Sequence, residues 1–184
     1  MRTMLTMGAP LYHLDDKDAA VLRARLTRRL LITVRAAMSS EGRSLSGGQG
    51  RGLTLGVETA VGAFVGAVTD PAYELGPAQL IFRRLGGTEF HEGHRIDALR
   101  RVLTAGARDV WAFLAAEELP PPTLYALAAA LFGFVDALTG AAAEGYLHEQ
   151  EQHARDWDTT RRRLITLLVQ PDPPAALYQK RLKA

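Results

Sequence analysis

The chain has 184 residues, 47% of them hydrophobic and 23% charged, with no cysteine and a formal net charge of +2. Such proportions fit one folded globular domain and exclude a disordered tail. The missing cysteine excludes a disulfide framework, a thiolate zinc site, an iron–sulfur centre and a cysteine nucleophile.

Met1 to Leu14 is too polar for a signal peptide, and no stretch approaches the ~20 apolar residues of a spanning helix. A cytoplasmic protein without membrane contact is therefore expected. Basic residues concentrate before residue 53, where nine face four acidic ones. Arg23, Arg25, Arg28, Arg29 and Arg35 are spaced to spread around a helix, which reads as solvated surface rather than a dense nucleic-acid face. No direct DNA contact is expected from this chain.

Residues 1–14 read as a flexible N-terminus. Asp15 or Asp16 then caps a first helix over about 16–38, with Val21, Leu22, Leu26, Leu30, Ile32 and Val34 as its apolar series. Ser39 to Gly52, rich in serine and glycine, reads as a loop. Val57, Val61, Phe64, Val65 and Val68 recur on one face of a second helix that stops at Asp70-Pro71. A third helix runs from Pro77 to Leu85, ends at Gly86-Gly87 and continues briefly through Phe90. Ile96 to Leu114 carries the longest apolar stripe and stops before Pro120-Pro121-Pro122.

Thr123 is placed to cap the next helix, whose Leu124, Leu127, Leu131, Phe132, Val135 and Leu138 are apolar nearly all round, with Gly140 bending or ending it. A last helix covers about 141–169 and stops at Pro171. No segment alternates with period two, so the expectation is an all-α helical bundle of about six helices over 15–170, followed by a linker or tail at 171–184.

Three motifs carry candidate chemistry. Leu45-Ser46-Gly47-Gly48-Gln49 resembles the signature of ABC-type ATPases, yet no GxxxxGK[ST] loop accompanies it, so it reads as a Ser/Gly loop. His91, His94, His148 and His153 lie near Glu89, Glu92 and Glu144, but their spacing matches no metal motif, and structural or surface histidine is the reading; no metal and no cofactor are assigned. Arg108 beside Trp111, and Asp136 between Val135 and Leu138, sit in apolar helices, where an ion pair between them would offset the cost of burial. No nucleophile–base constellation accompanies them, so no catalytic residue is assigned and the chain reads as a non-enzyme.

A wider pattern joins these pieces. Ser44-Leu45-Ser46-Gly47 runs into Gly56-Val57-Glu58 and Phe64. Leu85-Gly86, Glu89, Gly93, Arg95, Leu99, Gly106, Arg108 and Trp111 follow, then Phe134-Val135-Asp136, Glu144-Gly145-Tyr146 and Arg161-Arg162-Arg163-Leu164 before Leu167-Leu168. In order and spacing this resembles the N-terminal regulatory region of PucR/CdaR-type bacterial transcription regulators, a region similar to the N-terminal domain of RsbR-type co-antagonists. The family often has a proline-tyrosine pair after its first helix, where Ser39-Ser40-Glu41-Gly42 stands here. The DNA-binding part of such regulators has no counterpart within these residues.

The resemblance implies an all-helical signal-input and dimerisation module, globin-like without haem in some relatives, which works as a homodimer and responds to a small-molecule effector or a protein partner. A pocket is expected between the Val102–Leu114 and Leu124–Leu138 helices, with Trp111, Phe132 and Tyr146 as walls, Arg108 as anion anchor and Asp136 as its partner. The alternative is a standalone helical sensor that binds haem, a metal or a small metabolite.

Overall fold

In the computed structural model, which describes residues 10–40 and 48–169, every regular element is a helix. The elements are α1 (Asp16–Ser40), α2 (Gly48–Thr69), α3 (Gly76–His91), α4 (Ile96–Ala115) and α5 (Pro121–Val169). The chain divides into two compact units, Met1–His148 and Glu149–Ala184. The helical core lies in the first. Residues 1–9, 41–47 and 170–184 are outside the described residues, and with them most of the expected N-terminus, the tail, and Leu45-Ser46-Gly47 of the ATPase-like motif.

Each helix is set by its apolar spacing and its ends. The Asp15 carboxylate accepts the Asp18 amide at 2.7 Å, the expected cap of α1. From there Leu26, Leu30, Val34 and Met38 recur every four residues and are buried. Val21 and Ile32, expected on the same face, are exposed instead; neither shares the four-residue register of that stripe. The first described residues are anchored rather than flexible: the Leu11 amide donates to the Val68 carbonyl at 2.8 Å and the Leu11 side chain is buried. This contact satisfies a carbonyl in the last turn of α2, which has no partner within the helix.

Two of the expected helix ends are absent. Gly86-Gly87 does not stop α3, which continues to His91; both glycines are buried. The Gly140 break is missing too, so the two segments on either side of it form the single helix α5 and the helices number five. A lone glycine costs about 1 kcal/mol in a helix, and the buried Leu138, Ala141 and Ala142 around Gly140 outweigh it. The start of α5 also differs, since Pro121 and Pro122 occupy its first turn, where no amide is needed, and Thr123 lies inside it.

The core is one cluster. Leu26, Val61, Val65, Val68, Leu127 and Leu138 are almost wholly buried, and the Phe64 and Phe134 rings meet at 5.5 Å. Contrary to expectation, two helical stretches, Gly52–Thr69 and Pro121–Thr166, are long and apolar enough by composition to cross a membrane. In the fold, many of their apolar side chains line this interior.

α1 is tied to α4 by polar contacts as well. Arg29 Nε and Thr33 Oγ1 each donate to the Asp109 carboxylate at 2.8 Å, Arg25 pairs with Glu117 at 2.8 Å, and Arg25 stacks over the Phe113 ring at 4.7 Å. Two of the arginines read as solvated surface are therefore part of this helix contact.

α3 and α5 cross with their backbones in direct contact. A Cβ on Gly86 would fall on the Ala142 carbonyl, and one on Gly145 on the Arg83 carbonyl, so the two backbones touch without a side chain between them. Arg83 with Glu144, and Phe90 edge-on to Tyr146 at 5.5 Å, flank the crossing.

Candidate ligand cavity

The five helices line a cavity of about 200 Å³, partly open to solvent, inside the first unit. α1 contributes the buried stripe described above, and α2 adds Val57, Val61 and Phe64. α4 presents Leu99, Val102, Leu103, Gly106 and Val110, while α5 presents Leu131, Phe134, Val135 and Leu138. These three- and four-residue steps are the helix faces turned inward. Among the described residues the only polar side chains in the lining are Thr88, Glu89 and Glu92, from the last turn of α3 and its C-cap.

Glu89 is the one charged residue buried among those described. A backbone motif draws His94 back towards it. α3 ends in a left-handed residue, Gly93 at φ 72°, after which the Gly93 amide donates to the Phe90 carbonyl at 3.0 Å and the His94 amide to the Glu89 carbonyl at 2.9 Å. This Schellman closure needs a residue that accepts positive φ. It brings His94 Nδ1 to 3.3 Å from Oε2 of both Glu89 and Glu92. The three ligand-type atoms lie within 4.8 Å of one another, a set capable of holding a cation. His91, His148 and His153 are exposed and lie outside this group.

The residues singled out from the sequence do not converge on the cavity. Arg108, Asp136 and Phe132 are exposed, and no ion pair joins Arg108 to Asp136. Trp111 and Tyr146 are half-buried, Trp111 against the core and Tyr146 against Phe90. None of the five lines the cavity. The reason is phase: Phe132 and Asp136 each sit one position beyond a lining residue of α5, and one position turns a side chain by about 100°. Nor does a histidine line the cavity among the described residues, so the haem alternative has no proximal ligand there. Glu89 and His94 appear in the sequence as part of a histidine–glutamate cluster. Their convergence depends on the turn at Gly93, which spacing alone does not reveal.

No curated protein and no solved structure matches the chain. Residues 14–169 match the PucR-like N-terminal domain family, and with that match over most of its length the chain belongs to the PucR-like N-terminal domain family.

Proposed function

We propose that this chain is the signal-input domain of a cytoplasmic, non-enzymatic transcription regulator, and that its input is a small molecule held in the α1–α5 cavity. The carrying observation is the cavity itself, an apolar space of about 200 Å³ in a member of a regulator family. An engineered apolar cavity of about 150 Å³ is enough to bind benzene. The contact between the α3 and α5 backbones supports a signalling role, because Glu89 of the lining lies one turn beyond Gly86, and a shift of α3 there has no side chain at the crossing to absorb it.

The domain acts as a homodimer in this reading. On α5 of the first unit, Tyr125 and Phe132 are exposed about two turns apart on the side away from the core. In the second unit Trp157 and Leu164 are exposed at the same spacing. Stripes of this kind are what a second copy would cover.

The test is native mass spectrometry on the protein purified from its own host, alongside an Ala60→Phe variant that fills the cavity. A retained small mass in the native protein that the folded variant lacks supports the reading. Identical bare masses, with no ligand response in a thermal-shift screen, would remove it.

A further inference from the structure

We infer that the cavity takes a neutral, wholly apolar ligand, a single ring with a short alkyl chain, and discriminates against amines, acids and alcohols of the same size. This deepens the proposed input role and rests on the cavity being a ligand site.

The space is kept open by what its walls lack. α2 turns Gly52, Gly56 and Ala60 to the cavity at four-residue steps, and α4 turns Gly106 and Ala107. A Cβ at Gly52 would meet nothing within 4 Å, and one at Gly56 would meet only a Leu85 methyl, at 3.4 Å. Alanine is the better helix former, so neither packing nor helix propensity asks for glycine at Gly52. Water is a poor occupant of such a space, because an ordered water needs about two to four polar partners. Apolar walls that face water favour an apolar group in its place.

The polar side chains of the lining are already engaged within the fold. Thr88 Oγ1 donates to the Arg84 carbonyl at 3.0 Å, and His94 Nδ1 stands 3.3 Å from an oxygen of both Glu89 and Glu92. Among the described residues the rest of the lining is hydrocarbon, thioether or glycine, with no lysine or arginine. A ligand acid would therefore meet carboxyl groups and no cation, and a ligand amine or hydroxyl would give up its water for groups that have partners. The volume, about 200 Å³, is larger than the cavity of about 150 Å³ that admits benzene, which leaves room for a short alkyl chain and excludes a nucleotide.

Isothermal titration of the full chain with benzene, toluene and ethylbenzene, and with the polar analogues benzyl alcohol, phenethylamine and 3-phenylpropionate, tests the inference. Each carbon added along the hydrocarbon series should tighten binding about fourfold, the equivalent of one buried methylene. Each polar analogue should bind about tenfold or more weakly than ethylbenzene, as a stranded polar group implies. Gly52→Leu, which puts a side chain into the open space, should weaken ethylbenzene about tenfold or more with the helical circular-dichroism spectrum kept. If that variant fails to fold, the ranking of hydrocarbon against polar analogue in the unaltered chain decides alone. An amine, acid or alcohol that binds as tightly as ethylbenzene would overturn the neutral ligand and leave the input reading standing. Ethylbenzene binding that folded Gly52→Leu does not weaken would overturn the inference as well. Absence of binding by every probe would count against the inference and the input reading together.

Discussion

Replacing Gly86 by alanine should unfold the domain more readily, while the same replacement at Gly140 should stabilise it. Intrinsic propensity favours alanine over glycine inside a helix by about 1 kcal/mol at either site. At Gly140 nothing lies within 4 Å of the added methyl, so that gain is realised. At Gly86 the methyl meets the backbone carbonyl of Ala142, which has no rotamer to escape into, and α3 and α5 must separate. Overpacking costs about 1–3 kcal/mol even where side chains can adjust. A backbone clash belongs at the upper end, about 3 kcal/mol, and the net loss is about 2 kcal/mol. For a chain of this size about 1 kcal/mol corresponds to 2–4 °C, so Gly86→Ala should lower Tm by roughly 4–8 °C and Gly140→Ala raise it by roughly 2–4 °C. Thermal unfolding followed by circular dichroism, with urea titration for ΔG, reads both. If the two variants move Tm in the same direction, the backbone crossing does not hold α3 to α5 as described.

Gly145→Ala, the reciprocal position, should resemble Gly86→Ala in the same unfolding assay, because its methyl meets the Arg83 carbonyl. Asp109→Ala should cost about 1–3 kcal/mol in urea denaturation by stranding the Arg29 and Thr33 donors, whereas Arg25→Ala, in an exposed pair with Glu117, should cost about 1 kcal/mol or less. Gly93→Ala should cost about 1–2 kcal/mol through left-handed strain alone, since space around it is open, and Gly93→Asn should cost less. Phe132→Glu should convert a dimer to a monomer in light scattering while the helical circular-dichroism spectrum is kept, because Phe132 is exposed in the single chain, and Tm should lose its dependence on protein concentration.

What could be read in advance follows from what local sequence encodes. The buried stripe of α1, the Asp15 cap and the α4 stripe are properties of a few neighbouring residues, and periodicity reports them. The continuity of α3 through Gly86-Gly87 and of α5 through Gly140 is not local. Glycine disfavours a helix by itself, and the decision comes from partners distant in the chain: Ala142 against Gly86, and the buried Leu138, Ala141 and Ala142 beside Gly140. The cavity has the same character. Val102, Leu131 and Leu138 are legible as apolar, but a lining residue and a core residue look alike until five helices are assembled.

The pattern that pointed to the family now separates into residues with different physical reasons. Gly86 and Gly145 permit one backbone crossing, Gly93 closes α3 in a left-handed turn, and Glu89 is the charge that turn leaves beside His94 in the cavity wall. These four lie on or against α3, so the part of the pattern explained by the fold is the seating of a single helix between the cavity and α5. Arg108 and Asp136 belong to the same pattern yet stand exposed on α4 and α5 with no ion pair between them. A charge in water needs no partner, and the expected bridge assumed burial that neither residue has: both helices have a face outside the core, and the apolar neighbours of Asp136 surround it in sequence rather than in space.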